Sequence, residues 1–407
     1  MLEPALLIPA LSEEVEIVNP SQGQFVLINA RYKHYVKITK EMADLISLVN
    51  GQNNLNQIDQ IYSEKFHIQL NVDFIHQILY SKLSKYGLLL DSHPEIKPAN
   101  PSYLKLSLIL FKERFLNKFT HFLFFLFNPL IAILIVLANI FLLILVFSNH
   151  INLFSDFNLH QNLLFFILLT LTSAIFHEIG HATAANFYGA RHGGIGFGFY
   201  LLFPVYFADV TDIWRLTKNQ RIVVNIAGIY FEMFFCSVLI LLSYCFKNSA
   251  LGVATTLVLI RTLVNLNPLV RSDGYWILSD LSNIPSLYTN AGNKLKELGE
   301  FLLNRKSLKW IFSDYLLLFY SLLSYAFIAY FVLYTLFTDP GSILYFFRNL
   351  YNFIRQVFSA HPSFSFNDYK ELLIPILFFY LLFNFFKSLV KRYLLGKKKL
   401  LIEFKNN

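Results

Sequence analysis

The chain has 407 residues, of which 55% are hydrophobic, 17% aromatic and only 15% charged, with a formal net charge of +8 and a mean hydropathy of +0.49. Soluble globular domains carry about 25% charged residues. The shortfall here is concentrated in apolar runs about 20 residues long, the length of a helix that crosses a bilayer, which excludes a soluble enzyme, a disordered chain and a fibrous repeat. The runs do not alternate with period two, so a transmembrane barrel is excluded too, and a polytopic α-helical membrane protein is expected. Its positive charge then reads as basic cytoplasmic loops beside an anionic leaflet, not as a nucleic-acid surface. Cys236 and Cys245 share one apolar run and are expected as core thiols, without a disulfide framework.

In chain order, residues 1–95 are expected to form a small cytoplasmic α+β domain. Met1 to Ile17 opens apolar and then turns acidic, with no basic stretch before it, which argues against a cleaved signal peptide. Phe25–Ile28 and Tyr35–Ile38 are short strand-like runs separated by polar turn residues. Residues 39–49 place apolar side chains at helical spacing behind Thr39 in N-cap position, with Gly51 as a stop. Two more amphipathic segments follow at Leu55 to Phe66 and Val72 to Tyr86. A strand pair with three short helices predicts a winged-helix-like module. Few Lys or Arg lie on the candidate helices, so nucleic acid is not an expected partner. The order of strand, TKEMADLISLVNGQNNLNQI, helix and YSKLSKYGLL over residues 20–90 resembles the PqqD-like domain. That resemblance implies a module that recognises the leader peptide of a ribosomally made, modified peptide.

Residues 96–121 are expected as an interfacial amphipathic linker helix, because Lys105, Lys112, Arg114 and Lys118 interrupt its apolar residues. Residues 122–395 are expected to hold six transmembrane helices, near 122–147, 162–186, 222–246, 250–266, 315–338 and 373–390. Loop charge alternates: residues 148–161 contain no Lys or Arg, whereas 187–221 carry Arg191, Arg215, Lys218 and Arg221, and Arg271, Lys294, Lys296, Arg305, Lys306 and Lys309 follow the fourth run. The tail at 396–407 is basic. Both termini are therefore expected on the cytoplasmic side of a cell membrane, with the segment at 339–372 as the weakest fit.

The second run ends in Ile175-Phe176-His177-Glu178-Ile179-Gly180-His181. Histidines at i and i+4 share one helical face and can grip one zinc ion, and the Glu between them can take a proton from water on that ion. Three ionisable residues in an apolar helix are costly unless they have a task. A catalytic zinc needs a third protein ligand. His192, Asp209, Asp212 and Glu232 are candidates, as is the segment Leu263 to Trp276, where Pro268 and Gly274 would interrupt the fourth helix. Irregular backbone at membrane depth is tolerated only when buried or lining a wet cavity. Residues 193–207, rich in Gly and aromatics, are expected as membrane-dipping strands whose edge holds a substrate by strand addition. Glu232 and Arg261 are expected to pair across helices, and Asp209, Asp212 and Trp214 to shape the loop after the strands.

HExxH in one span with NPxxxxDG opening another resembles the site-2 protease family of intramembrane zinc metalloproteases. The strings PVYFADVTDIWRL and NPLVRSDGYWILSD are similar to its bacterial peptide zinc metalloprotease branch. The resemblance covers residues 160–282. It implies that His177, His181 and Asp273 hold Zn2+, that Glu178 is the catalytic base, and that Asn267 lies beside the metal and steadies the substrate or the oxyanion. The family's third helix commonly carries Gly-Pro, where this chain has Gly228-Ile229. The expected task is cleavage of a precursor peptide, with leader removal before export. Cleavage of a membrane-anchored signalling regulator and non-catalytic export or immunity are the alternatives. Dedicated signalling proteases of this type often carry a PDZ insertion, and none is read here.

Overall fold

The computed structural model describes residues 4–21, 23–90, 96, 104–148, 159–200, 203–247, 249–284, 286–303, 310–358, 371–383 and 386–387. The basic tail, most of the 148–161 connection, Arg305, Lys306 and Lys309 lie outside the described residues. Two compact units are present, Met1–Ser286 and Leu287–Asn407.

The first unit opens with an antiparallel sheet in the order β1 (Val15–Ser21), β2 (Gln24–Asn29), β3 (His34–Ile38). Helices α1 (Lys40–Ser47), α2 (Leu55–Phe66) and α3 (Val72–His76) follow, the last running on through a wider π-helical turn at Gln77–Leu83. Each starts where the sequence supplies a cap: Thr39 accepts from the Met42 amide, Asn54 forms a reciprocal box with Gln57, and Asn71 accepts from Asp73. Leu27, Ile46, Leu55, Ile58, Ile75 and Leu79 close a dry core between sheet and helices. Strand β1 was not expected: its sequence, VEIVNPS, is short and contains Pro20, which weakens a strand signal.

The linker departs from expectation. Residues 96–121 are not one helix: Leu104–Phe111 is a strand, β4, and α4 covers Glu113–Phe122. The run Leu104-Lys105-Leu106-Ser107-Leu108 alternates apolar and polar residues, which is the strand period; the spacing of the later basic residues obscured it. Strand β4 pairs with β5 (Ile195–Tyr200), which pairs in turn with β6 (Phe203–Ala208), giving a second antiparallel sheet in the order β4-β5-β6.

Around this sheet lie α5 (Pro129–Phe147), α6 (Leu159–Phe187), α7 (Lys218–Phe246), α8 (Ser249–Asn265) and α9 (Asp273–Leu281). Helix α7 packs against α5, α6, α8 and α9 and is the central post of the unit. A capping box between Thr217 and Gln220 starts it. The second unit contains α10 (Leu287–Leu302), α11 (Phe312–Thr338), α12 (Pro340–Leu344), α13 (Phe346–Val357) and an apolar helix at Glu371–Phe383.

Six transmembrane helices were expected. Among the described residues three helices are long and apolar enough to cross a bilayer alone, Leu164–Phe187, Lys218–Phe246 and Phe312–Thr338. A fourth span is possible if Glu113–Phe127 and Pro129–Leu142, bent by 80°, count as one. Within the described residues the runs near 250–266 and 373–390 form helices at Ala250–Asn265 and Glu371–Phe383.

Candidate metal centre

Helix α6 carries His177 and His181 one turn apart, both buried. Helix α8 ends at Asn265, and residues 266–272 break the rod before α9 starts at Asp273. Asn267 and Ser272 shape the break: Asn267 Oδ1 accepts from the Leu269 amide at 2.9 Å, and Ser272 Oγ donates to the Asn267 carbonyl at 2.9 Å. The break delivers Asp273 to the histidines. Asp273 Oδ2 lies 3.0 Å from His177 Nε2, Asp273 Oδ1 lies 3.3 Å from His181 Nε2, and the two Nε2 atoms are 3.0 Å apart. Among the described residues this is the one cluster of three His, Cys, Asp or Glu side chains whose donor atoms all lie within 4.8 Å of one another. His192, Asp209, Asp212 and Glu232, the other candidates for a third ligand, are not in it.

The donors fit a zinc ion. Atoms on a tetrahedral zinc shell with bonds of 2.0–2.1 Å stand about 3.3 Å apart, close to the spacings found. Asp273 Oδ2 is buried and makes no well-aligned hydrogen bond despite its nearness to His177. This is the expected state of lone pairs that converge on a shared point. Two imidazoles and a carboxylate are also a donor set suited to zinc.

The outward ring nitrogens are held as well. His181 Nδ1 lies 2.7 Å from the Val224 carbonyl, which fixes the proton on Nδ1 and leaves Nε2 as the acceptor. His177 Nδ1 lies 3.2 Å from Glu232 Oε2, at ion-pair distance though out of line for a hydrogen bond. Glu232 is fully buried on α7, accepts from Thr262 Oγ1 at 2.9 Å, and pairs with Arg261 of α8. The expected Glu232–Arg261 pair is present. The contact with His177 was not expected and gives Glu232 a second role, as a carboxylate behind a candidate ligand.

Two glycines let α7 approach. A Cβ on Gly180, inside HEIGH, would strike the Ala227 carbonyl and the Phe231 ring. A Cβ on Gly228 would strike Nε2 of both His177 and His181. Gly228 of the Gly-Ile pair therefore leaves room for the ligand rings.

Glu178, on the same turn as His177, accepts from the Ala208 amide at 2.6 Å. Ala208 ends β6, an edge strand of its sheet that packs against α6, while β4 takes the other side of β5. The expected pair of strands at 193–207 is therefore present, but one edge is filled by the chain itself. Tyr200, at the end of β5, accepts from the Arg271 amide at 3.3 Å and ties the sheet to the broken segment.

Asp209, Asp212 and Trp214 do shape the loop after β6, as expected, and also meet the β1-β2-β3 sheet and its turn. Lys33 pairs with Asp209, Tyr35 Oη donates to Asp212 Oδ1 at 3.0 Å, Arg215 pairs with Glu16, and Lys37 Nζ lies 5.3 Å from the Trp214 ring centre. Burial, with Asp212 alongside, pushes the Tyr35 phenol well above its usual range. His192 is buried with neither ring nitrogen hydrogen-bonded, and burial holds its pKa below the usual value.

No known protein-family profile matches the chain, and no solved structure matches it. It is 28% identical over 172 residues to the Bacillus subtilis (strain 168) protein named "Putative peptide zinc metalloprotease protein YydH". That stretch is 42% of this chain and 65% of the length of the relative.

Proposed function

We propose that this chain is a membrane-embedded zinc endopeptidase of the site-2 protease type. The observation that carries the reading is the convergence of His177, His181 and Asp273 on one point, with Glu178 on the same helical turn. The name of the Bacillus relative supports a metalloprotease chemistry. A bound zinc ion would supply Lewis acidity to a scissile carbonyl and bring the pKa of water to about 7.

His177, His181 and Asp273 hold the ion in this reading. Glu178 has one oxygen engaged by the Ala208 amide, and its carboxylate takes the proton of the attacking water and returns it to the leaving amine. Asn267, whose loop presents Asp273, steadies the substrate or the developing oxyanion. An extended substrate lies along the edge strand β6, because a helical peptide hides its amides. The substrate proposed is a precursor peptide, cut to remove its leader, with the N-terminal domain receiving that leader. The finer topology proposed is multi-pass, with both termini and the site towards the cytoplasm.

The test is incubation of the purified full chain in detergent with the short peptide encoded beside its gene, followed by mass spectrometry of the products. The wild type should release fragments ending at one bond. Neither chelator-treated protein nor E178Q should do so, although E178Q keeps its zinc. Cleavage by E178Q at the wild-type rate, or cleavage indifferent to chelator, contradicts the proposal.

A further inference from the structure

We infer that the N-terminal sheet is a positioning part of the metal centre: Lys33, Tyr35 and Lys37 grip the segment 208–221 and through it hold both Glu178 and the helix that carries Asp273. The inference rests on the proposed roles of Glu178 and Asp273 and adds what keeps them in place.

Two routes run from the same strand. Tyr35 and Lys37 point to one face of β3, two residues apart, and Lys33 stands in the turn before them. The first route passes through the acidic pair. Asp212 is buried and has two hydrogen-bond donors, Tyr35 Oη at 3.0 Å and the Arg191 amide at 2.8 Å, with Arg215 Nε beside it at ion-pair distance, 2.7 Å. Asp209 is held by Lys33 and accepts from Thr211 Oγ1 at 2.6 Å. Asp209 directly follows Ala208, and its backbone locks the start of β5 through Gly193 N at 2.7 Å and Gly194 O at 2.9 Å. The Ala208 amide then meets Glu178.

The second route passes through Trp214. Lys37 Nζ and Arg221 Cζ lie 5.3 and 5.2 Å from its ring centre. Two cations on one ring repel, and a nearby carboxylate offsets this. Arg221 Nε donates to Asp280 Oδ1 at 2.8 Å, and Asn225 Nδ2 donates to Asp280 Oδ2 at 3.0 Å. Asp280 lies on α9, seven residues after Asp273. Arg221 and Asp280 are both buried, so this connection is shielded from solvent. The string PVYFADVTDIWRL thus holds the residues that meet the N-terminal sheet, and NPLVRSDGYWILSD holds, besides Asp273, the Asp280 reached through Arg221.

Hydrogen exchange followed by mass spectrometry on the zinc-loaded full chain in detergent tests this. Combining K33M with Y35F should raise exchange in the peptide containing Ala208 about tenfold, because a buried carboxylate loses a donor. K37M should raise exchange at 273–281, whereas K33R should behave as wild type. Zinc content and protection of α7 should not change in any of them, which separates a positioning role from loss of fold. If the double variant also loses α7 protection, Y35F alone carries the comparison, with a rise of about threefold. With the peptide substrate, kcat should fall with KM unchanged. Wild-type exchange at both Ala208 and 273–281 in folded variants would overturn the inference. Exchange needs no substrate, so a failure to cleave would sink the peptidase reading while leaving this one measured separately.

Discussion

Replacing Glu232 tests whether the centre depends on support from behind His177. Glu232 is fully buried, 3.2 Å from His177 Nδ1, and bonded to Thr262 and Arg261. E232A removes the carboxylate that stands at ion-pair distance behind the His177 ring and leaves Arg261 without its partner. Losing such an outer partner typically weakens metal binding 10- to 100-fold, which is about 1.4–2.7 kcal/mol. Breaking a buried ion pair costs folding stability besides, about 3–5 kcal/mol. E232Q separates the two effects. It keeps an acceptor for Thr262 but loses the charge, so zinc affinity should fall about tenfold, with a smaller stability loss than E232A. The assay is competition for zinc against a chromophoric chelator, on detergent-purified protein, beside thermal unfolding. E232Q and E232A binding zinc as tightly as wild type would refute the reasoning, since His177 would then need no support from α7.

G228A should abolish zinc binding, because its methyl group would occupy the space of both ligand nitrogens. Gly to Ala inside a helix ordinarily stabilises by about 0.5–1 kcal/mol, so a variant that keeps its metal content and gains stability would contradict the geometry. Acid should loosen the N-terminal domain. Burial pushes the Asp209 carboxyl up, but the Lys33 and Thr211 hydrogen bonds outweigh it and hold the group below its usual range. A depressed folded pKa contributes stability above the unfolded value of about 3.9 and loses it as pH falls through the lower folded value. Tryptophan fluorescence should therefore show a step below about pH 4 that is missing from D209N, and superimposable acid titrations would count against the clamp.

The parts of this molecule that could be read in advance are those written in local spacing. Two histidines four apart and a Pro and Gly interrupting an apolar run declare themselves within a few residues, and the structure brings the two histidines to Asp273 of the interrupted segment. The helices at 40–47 and 55–66 were legible for the same reason, the first from its Thr39 cap and both from their apolar spacing. Strand β4 was not, because regular basic spacing competed with a five-residue alternation and pairing with β5 decided the outcome. Glu232 was legible as a buried charge paired with Arg261 and Gly228 as a departure from Gly-Pro, but their nearness to the ligand rings depends on another helix and is marked by nothing in their own neighbourhood. Lys33, Tyr35 and Lys37 look like the wet face of a small sheet. Their partners lie 176 and 177 residues away for Lys33 and Tyr35, and no local pattern carries that information.

X-ray absorption at the zinc edge on the purified, zinc-loaded chain tests the centre most directly. The account predicts a four-coordinate shell of light atoms at about 2.0–2.2 Å, with the outer-shell signature of two imidazoles in the wild type and of one in H181A, and a changed first shell in D273A. A wild-type spectrum without two imidazoles, or one that D273A leaves unaltered, would contradict it.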